Sequence, residues 1–428
     1  MINKKVWSFN IGEWTEAYVF LKLLGIGRVY GTNANNVLST KIYMDILEIL
    51  RFEESKELSY KREDGRINCY ENGAKFYFVP APDLLEKADY LYNKIKAHQK
   101  ATMSEPLIQE FMEHMHVFSP KTTTIPPNYQ KIYGNKSDII IKTGSSLDHS
   151  VSTDGFSIKS HIGSNATLFN CSNSSRMVYE VVNCTDYEMH RINSCERFVD
   201  KYKKSANGIS SLNEEGMIGY IKRHNSLSLR FIGAGSETFE SNMLLTDSCM
   251  LEILSNLLLI LVGYIGNLTS SSSEDLSMEL ERLNPMSIRK PEYYYQTKIK
   301  QFHFNSFAGM TASTEWDGRP RLTGGYIDVD KDGNILYYRA TSNDVFINYL
   351  FKNVYFDRPD RGVLKDLAIA NAHSFLNTGK VLTESEEMKI LYNDKGAKRP
   401  KKGDWGYVYK DQNQNRYLMA INFQTRFR

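Results

Sequence analysis

The chain has little cysteine. Five occur in 428 residues, at positions 69, 171, 184, 195 and 249, and no two are spaced as CxxC. Their irregular spacing excludes zinc ribbons and thioredoxin-type redox motifs. Neither sign of charge dominates: 53 Lys and Arg against 50 Asp and Glu leave a net +3. Attraction to nucleic acid must then come from local patches, not from the field of the whole protein. Long hydrophobic runs are also missing. The most apolar stretch, "ILSNLLLILVGYIGNL" at 253–268, is sixteen residues long and includes two asparagines, a serine and two glycines. A membrane span needs about 20 predominantly apolar residues, so a buried core helix is expected there. The opening "MINKKVWSFNIGEW" has no signal-peptide apolar stretch. The expectation is a cytoplasmic protein with no membrane contact.

Several catalytic signatures are missing too. No GxxxxGK[ST] occurs, which argues against a P-loop ATPase, and no GxSxG serves a serine hydrolase. "GAGSE" at 233–237 lacks the full dinucleotide fingerprint. "DVDKDGNILYYR" at 328–339 copies the first half of a calcium loop, but the twelfth position, a bidentate Glu in an EF-hand, is Arg339. Its aspartates Asp328, Asp330 and Asp332 read as turn chemistry. His114 and His116 have no ligand cluster near them in sequence.

What is present is an ordinary globular composition, 41% hydrophobic and 24% charged with 27 Tyr and 21 Phe, in a chain long enough for two or three domains. "EWTEAYVFLKLL" at 13–24 has helical spacing, with Glu13 and Glu16 in its first turn, where they favour the helix dipole. "TKIYMDILEIL" at 40–50 also reads as helical, and "PAPDLLEKADYLYNKIKAHQ" reads as a long amphipathic helix entered through proline. "SPKTTTIPPNYQ" at 119–130 is a Pro- and Thr-rich junction. Beyond it lie short strands, "SDIIIKTGS", "FSIKSHI", "MVYEVVN" and "LSLRFIGA", and later a hairpin turning at Asp332-Gly333. These elements give a mixed α/β (α+β) fold in three regions: 1–125 helical, 126–245 a core, and 246–428 β-rich.

The run "DGFSIKSHIG" at 154–163 carries the sharpest signal. Phe156, Ile158 and Ser160 alternate with Ser157 and Lys159, the pattern of a half-buried strand with a lysine in mid-run. Asp138 opens the apolar strand "DIIIK" twenty-one residues earlier. Phosphodiester cleavage needs a carboxylate to hold Mg²⁺ against the phosphate, an activated water, and a cation to balance developing charge. A hairpin can set an Asp and a Lys side by side, which is the geometry of the PD-(D/E)xK nucleases. The pair alone is weak evidence, because a polar strand face often carries a lysine with no special role.

Its surroundings add to it. "FSIKSHIGSNATLFNCSNSSRMVYEV" resembles the core of the HpaII-type restriction endonucleases, and "GEWTEAYVFLKLLGIGRVY" resembles their N-terminus. "WDGRPRLTGGYIDVDKDGNILYYRA", "VFINYLFKNVYFDRP" and the terminal "INFQTRF" echo their C-terminal block, in the same order. The resemblance implies a PD-(D/E)xK-like core at 126–245, with the flanking regions gripping DNA. It implies a Mg²⁺-dependent type II enzyme that cuts double-stranded DNA at a short palindrome (CCGG in the founding member). It also implies a homodimer when cleaving and a cognate DNA methyltransferase acting on the same site.

By the same resemblance Asp138 is the metal-binding acid, Lys159 the catalytic lysine, and Ser157 the occupant of the usual D/E position. Serine cannot supply a second charge there. Glu180 is the first candidate to replace it, with Glu13 and Glu16 as competitors. Ser164, Thr167, Asn170 and Ser172 after the lysine, and Arg319, Arg321, Arg339 and Arg358 further on, are candidate DNA contacts, since Arg bidentate to guanine suits a G·C-rich target. The rival reading is a sequence-specific DNA-binding protein whose nuclease site has decayed.

Overall fold

The computed structural model describes residues 6–32, 38–53, 56–98, 100, 102–121, 125–134, 137–146, 149–162, 166–170, 174–204, 210–268, 270–319, 323–339, 343–357, 365–383, 385–386, 406–411 and 413–428. The class is mixed α and β, as expected. The chain forms two compact units, Met1–Ala166 with Pro320–Tyr349, and Thr167–Arg319 with Leu350–Arg428. Each unit draws on two separate stretches of chain, so the units do not follow the three consecutive regions read from the sequence.

The first unit opens with helix α1 (Ile11–Ile26). Asn10 caps it by accepting from the Glu13 amide, while the Glu13 carboxylate takes the Asn10 amide. Gly27, at φ +73°, ends it in the left-handed conformation that glycine tolerates best. Nine strands follow in one sheet: β1 (Arg28–Thr32), β2 (Leu38–Glu53), β3 (Lys56–Glu63), β4 (Arg66–Glu71), β5 (Ala74–Pro80), β6 (Ile139–Ser145), β7 (Val151–Ser160), β8 (Gly325–Val329) and β9 (Ile335–Arg339). Their order is β1-β9-β8-β7-β6-β2-β3-β4-β5, and β1 also pairs with β2, so the first six in that order run round a closed ring. Helix α2 (Ala81–Ala97) enters through Pro80, as its sequence predicts.

The N-terminal region is therefore not mainly helical, because β1–β5 occupy much of it. "TKIYMDILEIL" lies inside β2, and a bulge explains the misreading. Ile46 faces Thr143 and Glu48 faces Lys142, which leaves Leu47 as an extra residue. Alternation resumes out of phase beyond it, so the buried positions Met44, Ile46 and Ile49 take on a spacing that mimics a helix.

In the second unit a four-stranded sheet runs in the order Ser228–Ala234, Arg176–Val182, Arg416–Asn422, Tyr409–Asp411, and a three-stranded one in the order Thr167–Phe169, Thr425–Phe427, Val354–Phe356. The apolar run forms helix Met250–Leu261, and eight of its apolar side chains are buried in this unit's core. No described helix is by itself long and apolar enough to cross a membrane. The pair Glu237–Thr246 and Met250–Leu261, long enough together, is bent by 104° at its junction. Region 246–428 is more helical than its sequence reading, with Met250–Leu261, Ser273–Leu283, Pro291–Phe307, Asn343–Asn353 and Lys365–Thr378 all helices.

His303, on helix Pro291–Phe307, lies wholly buried in this unit, its Nε2 2.7 Å from Ser273 Oγ. Burial pushes its imidazole down from 6.5 to about 3. The unfolded chain binds a proton there that the folded chain refuses. Neutral His303 therefore supports the fold above its ordinary range, and that support is lost as pH falls from 6.5 toward 3. Urea unfolding at about pH 7 and about pH 5.5 should show a larger loss in wild type than in His303→Gln, by up to ~1.4 kcal/mol per pH unit. Equal losses would mean that His303 is protonated in the folded state.

Candidate active site

Strand β7 is hydrogen-bonded on both edges. Antiparallel β6 pairs Ile139 with Phe156, and parallel β8 pairs Tyr326 with Ser157 and Asp328 with Lys159. A parallel neighbour requires a crossover connection, and here the whole of Thr167–Arg319 lies between the two strands in sequence. Alternation divides β7 into two faces. Phe156 and Ile158 join the apolar core with Trp14 and Ala17 of α1, and Thr15 Oγ1 lies 3.3 Å from Ser160 Oγ. Burial of such side chains is worth roughly 1.5–3 kcal/mol each, which locks the strand's phase. Ser157 and Lys159 belong by alternation to the opposite face.

Asp138 reaches that second face from the residue just before β6. Its amide donates to the Phe156 carbonyl at 2.8 Å. Its Oδ2 accepts from the Ile158 amide at 2.7 Å and from Ser157 Oγ at 3.0 Å. Bonds to an ionised acceptor are worth about 1.5–3 kcal/mol, so this carboxylate is held firmly at its place on β7. Gly155 permits the approach: a Cβ there would collide with Ser137 Oγ and the Tyr133 carbonyl oxygen in the segment leading to Asp138. Ser157 is buried at 4% exposure. Lys159 is half-buried, and its ammonium makes no hydrogen bond or ion pair with the described residues.

The structure thus gathers Asp138, Ser157 and Lys159, and it adds neighbours that the sequence reading assigned otherwise. Asp330 does perform turn chemistry, its Oδ1 accepting from the Asp332 and Asn334 amides at 2.8 and 2.9 Å. Asp328 does not. It sits inside β8, where its Oδ1 accepts from Tyr326 Oη at 2.7 Å and lies 3.0 Å from His161 Nε2. Tyr326, Tyr338 and Tyr349 surround this carboxylate. Burial first and then the charge of Asp328 push the Tyr338 phenol up to about 12, and burial holds the Tyr326 phenol well above its ordinary range. These tyrosines stay protonated, and Tyr326 serves as a neutral donor. Only the long-range pairing of β7 with β8 brings Asp328 here, and local sequence carries no trace of it.

The other expected residues stand on other elements. Glu180 belongs to the second unit, on strand Arg176–Val182, and Arg230 holds its carboxylate at 2.5 Å. Glu13 closes the α1 cap and accepts from Lys121 at 2.7 Å. That bond raises the Lys121 ammonium above its usual range, and the charge of Glu16 adds to the effect. Helix α1 itself covers the apolar face of β7, the one turned away from Lys159. Thr167 pairs with Arg426, Asn170 follows exposed, and Arg319 is exposed in the second unit. Arg339 ends β9 opposite Gly325. Ser164, Ser172, Arg321 and Arg358 lie outside the described residues.

The HpaII restriction endonuclease family model matches residues 10–362, a span that includes Asp138, Ser157, Lys159 and Asp328. The chain belongs to the HpaII restriction endonuclease family. It is 32% identical over 358 residues to the Type II restriction enzyme HpaII of Haemophilus parainfluenzae, across 82% of this chain and 91% of that protein. No solved structure matches it. Membership makes the chain a DNA-binding hydrolase of a restriction system, a site-specific endonuclease.

Restoring the general D/E-x-K pattern in this HpaII-family chain should do harm. In Ser157→Glu a new carboxylate is forced into a buried position whose hydroxyl lies 3.0 Å from Asp138 Oδ2, where two like charges cannot both ionise. Ser157→Ala removes one donor and spares the Ile158 amide, so it should cost only about tenfold in cleavage rate. Cleavage assays with folding checked by circular dichroism compare the two; a Ser157→Glu protein faster than wild type contradicts this geometry.

Proposed function

We propose that this chain is a Mg²⁺-dependent type II restriction endonuclease acting through Asp138 and Lys159. The observation that supports this most is the Asp138 carboxylate, pinned to β7 at Ser157 and Ile158, in a restriction-endonuclease family member whose next outward-facing β7 residue is Lys159. The donors on offer are carboxylate and hydroxyl oxygens, and no cluster of three or more His, Cys, Asp or Glu side chains occurs among the described residues. That suits Mg²⁺, which prefers hard oxygen ligands and is commonly bound by one or two carboxylates while keeping several waters. A bound divalent ion supplies positive charge against the scissile phosphate.

The chain's own residues do the rest. Asp138 presents a carboxylate fixed through Oδ2, ready for the attack step without rearrangement. Lys159 makes no ion pair or hydrogen bond with the described residues, and its charge serves the phosphoryl oxygens as negative charge builds on them. Ser157 holds Asp138. The substrate is duplex DNA with a short palindromic site, and CCGG is the first sequence to test. Cutting both strands of a palindrome places two copies about a shared twofold axis, so the active species is a homodimer. A DNA methyltransferase of the same specificity protects the cell's own sites, and the enzyme acts in the cytoplasm. Thr167, Asn170, Arg319 and Arg339 remain the DNA contacts of this reading among the described residues.

Lys159→Ala is expected to abolish plasmid cleavage in Mg²⁺ while duplex binding persists, because the lysine acts on the transition state. Asp138→Asn should lose activity and shift the Mg²⁺ titration upward, because a neutral amide is a poor ligand for a hard cation. Mapping the ends made by wild type on a DNA of known sequence reads out the site. Substantial cleavage by Lys159→Ala overturns the assignment, and binding without nicking by wild type points to a decayed nuclease.

A further inference from the structure

The PD-(D/E)xK pattern that the sequence resembles puts two acids at the lysine's site, one before β6 and one at the position of Ser157. Ser157 is buried and spends its hydroxyl on Asp138, so the second acid is missing from its usual place. Three replacements read from the sequence fare poorly in the structure. Glu180 is engaged by Arg230, Glu13 by its own helix cap and Lys121, and α1 with Glu13 and Glu16 covers the face opposite Lys159. Asp154 is on β7, but by alternation it shares the face of Phe156, and it accepts from Ser152 Oγ.

Asp328 differs from all of these. It is the registered neighbour of Lys159 across the parallel β7–β8 pair, so both side chains issue from one face of the sheet. Tyr326, directly opposite Ser157, lies in the same row. The Asp328 side chain is 11% exposed. Both of its partners among the described residues, Tyr326 Oη and His161 Nε2, meet Oδ1, and Oδ2 accepts no hydrogen bond from those residues. Asp138 likewise takes two donors on its Oδ2. The two carboxylates flank β7 from its two neighbouring strand lines, with Lys159 between them.

We propose that Asp328 is the second carboxylate of the Lys159 site, supplying from β8 the acid that Ser157 does not, with Tyr326 and His161 as its positioning residues. This rests on the nuclease reading above. A carboxylate displaced by one strand, and not by one residue, keeps its charge on the lysine's face without crowding Asp138. Asp328 then accounts for a buried phenol and an imidazole converging on one oxygen beside a nuclease lysine.

The test uses the intact wild-type protein. With Fe²⁺ in place of Mg²⁺ and ascorbate added, the polypeptide is cut beside the residues that hold the ion, and cuts are expected near residues 138 and 328. Cuts near 138 with 180, 13 or 16, or near 138 alone, overturn the proposal and leave the nuclease reading standing. No cut near 138 sinks the nuclease reading itself.

Mn²⁺ binding to the protein–duplex complex, followed by electron paramagnetic resonance, gives a second readout. Asp328→Asn should weaken it by about tenfold or more, Tyr326→Phe by less, and Asp328→Glu should recover most of it. A purely structural Asp328 would lower the unfolding temperature and leave Mn²⁺ affinity unchanged, which also overturns the proposal. Should Asp328→Asn not fold, the Fe²⁺ cutting pattern of wild type decides.

Discussion

Strand β7 is paired on both edges at once, and the chemistry proposed for this protein depends on that constraint. Pairing with β6 brings Asp138 onto the Ser157 and Ile158 positions, and pairing with β8 brings Tyr326 and Asp328 level with Ser157 and Lys159. The side-chain period of a strand is two, so a slip of one residue on either edge would send Lys159 into the apolar core and Ile158 into the site. Phe156 and Ile158, buried against α1, make that slip costly. The apolar face thus fixes the phase that the polar face uses.

This division also explains why the acids of α1 have other duties. A helix that covers the apolar side of the sheet can cap itself with Glu13 and pair it to Lys121 without meeting the lysine of β7. On the polar side, Asp138, Ser157, Lys159 and Asp328 have backbones paired in or next to the sheet. Sites built on strands hold geometry better than sites built on loops. Gly155 shows the same economy of space, since the chain before Asp138 passes too close to β7 for any side chain there.

Much of this was legible in the sequence where the determinants are local. Helices α1 and α2, the β6 and β7 strands, the buried helix Met250–Leu261 and the turn at Asp332-Gly333 all follow from spacing and capping within one window. Residues 40–50 were not legible, because the bulge at Leu47 shifts the alternation and imitates a helix. Asp328 was not legible for a different reason. It lies in a run that copies part of a calcium loop, and its true neighbour, Lys159, is reached only after the whole of Thr167–Arg319. Family resemblance supplied the activity and the Asp138–Lys159 pair. It could not supply the acid absent from Ser157; the candidate proposed for that role, Asp328, is reached only through the pairing of distant strands.

In the reading proposed above, one row of β7, flanked by β6 and β8, receives the scissile phosphate. A crystal structure of the protein with Ca²⁺ and a duplex carrying its mapped cleavage site tests this most directly. The scissile phosphate should lie beside Lys159, with Asp138 facing it from the β6 side of the strand. A phosphate seated against Glu180 or against the first turn of α1, with Lys159 remote from the DNA, would contradict it.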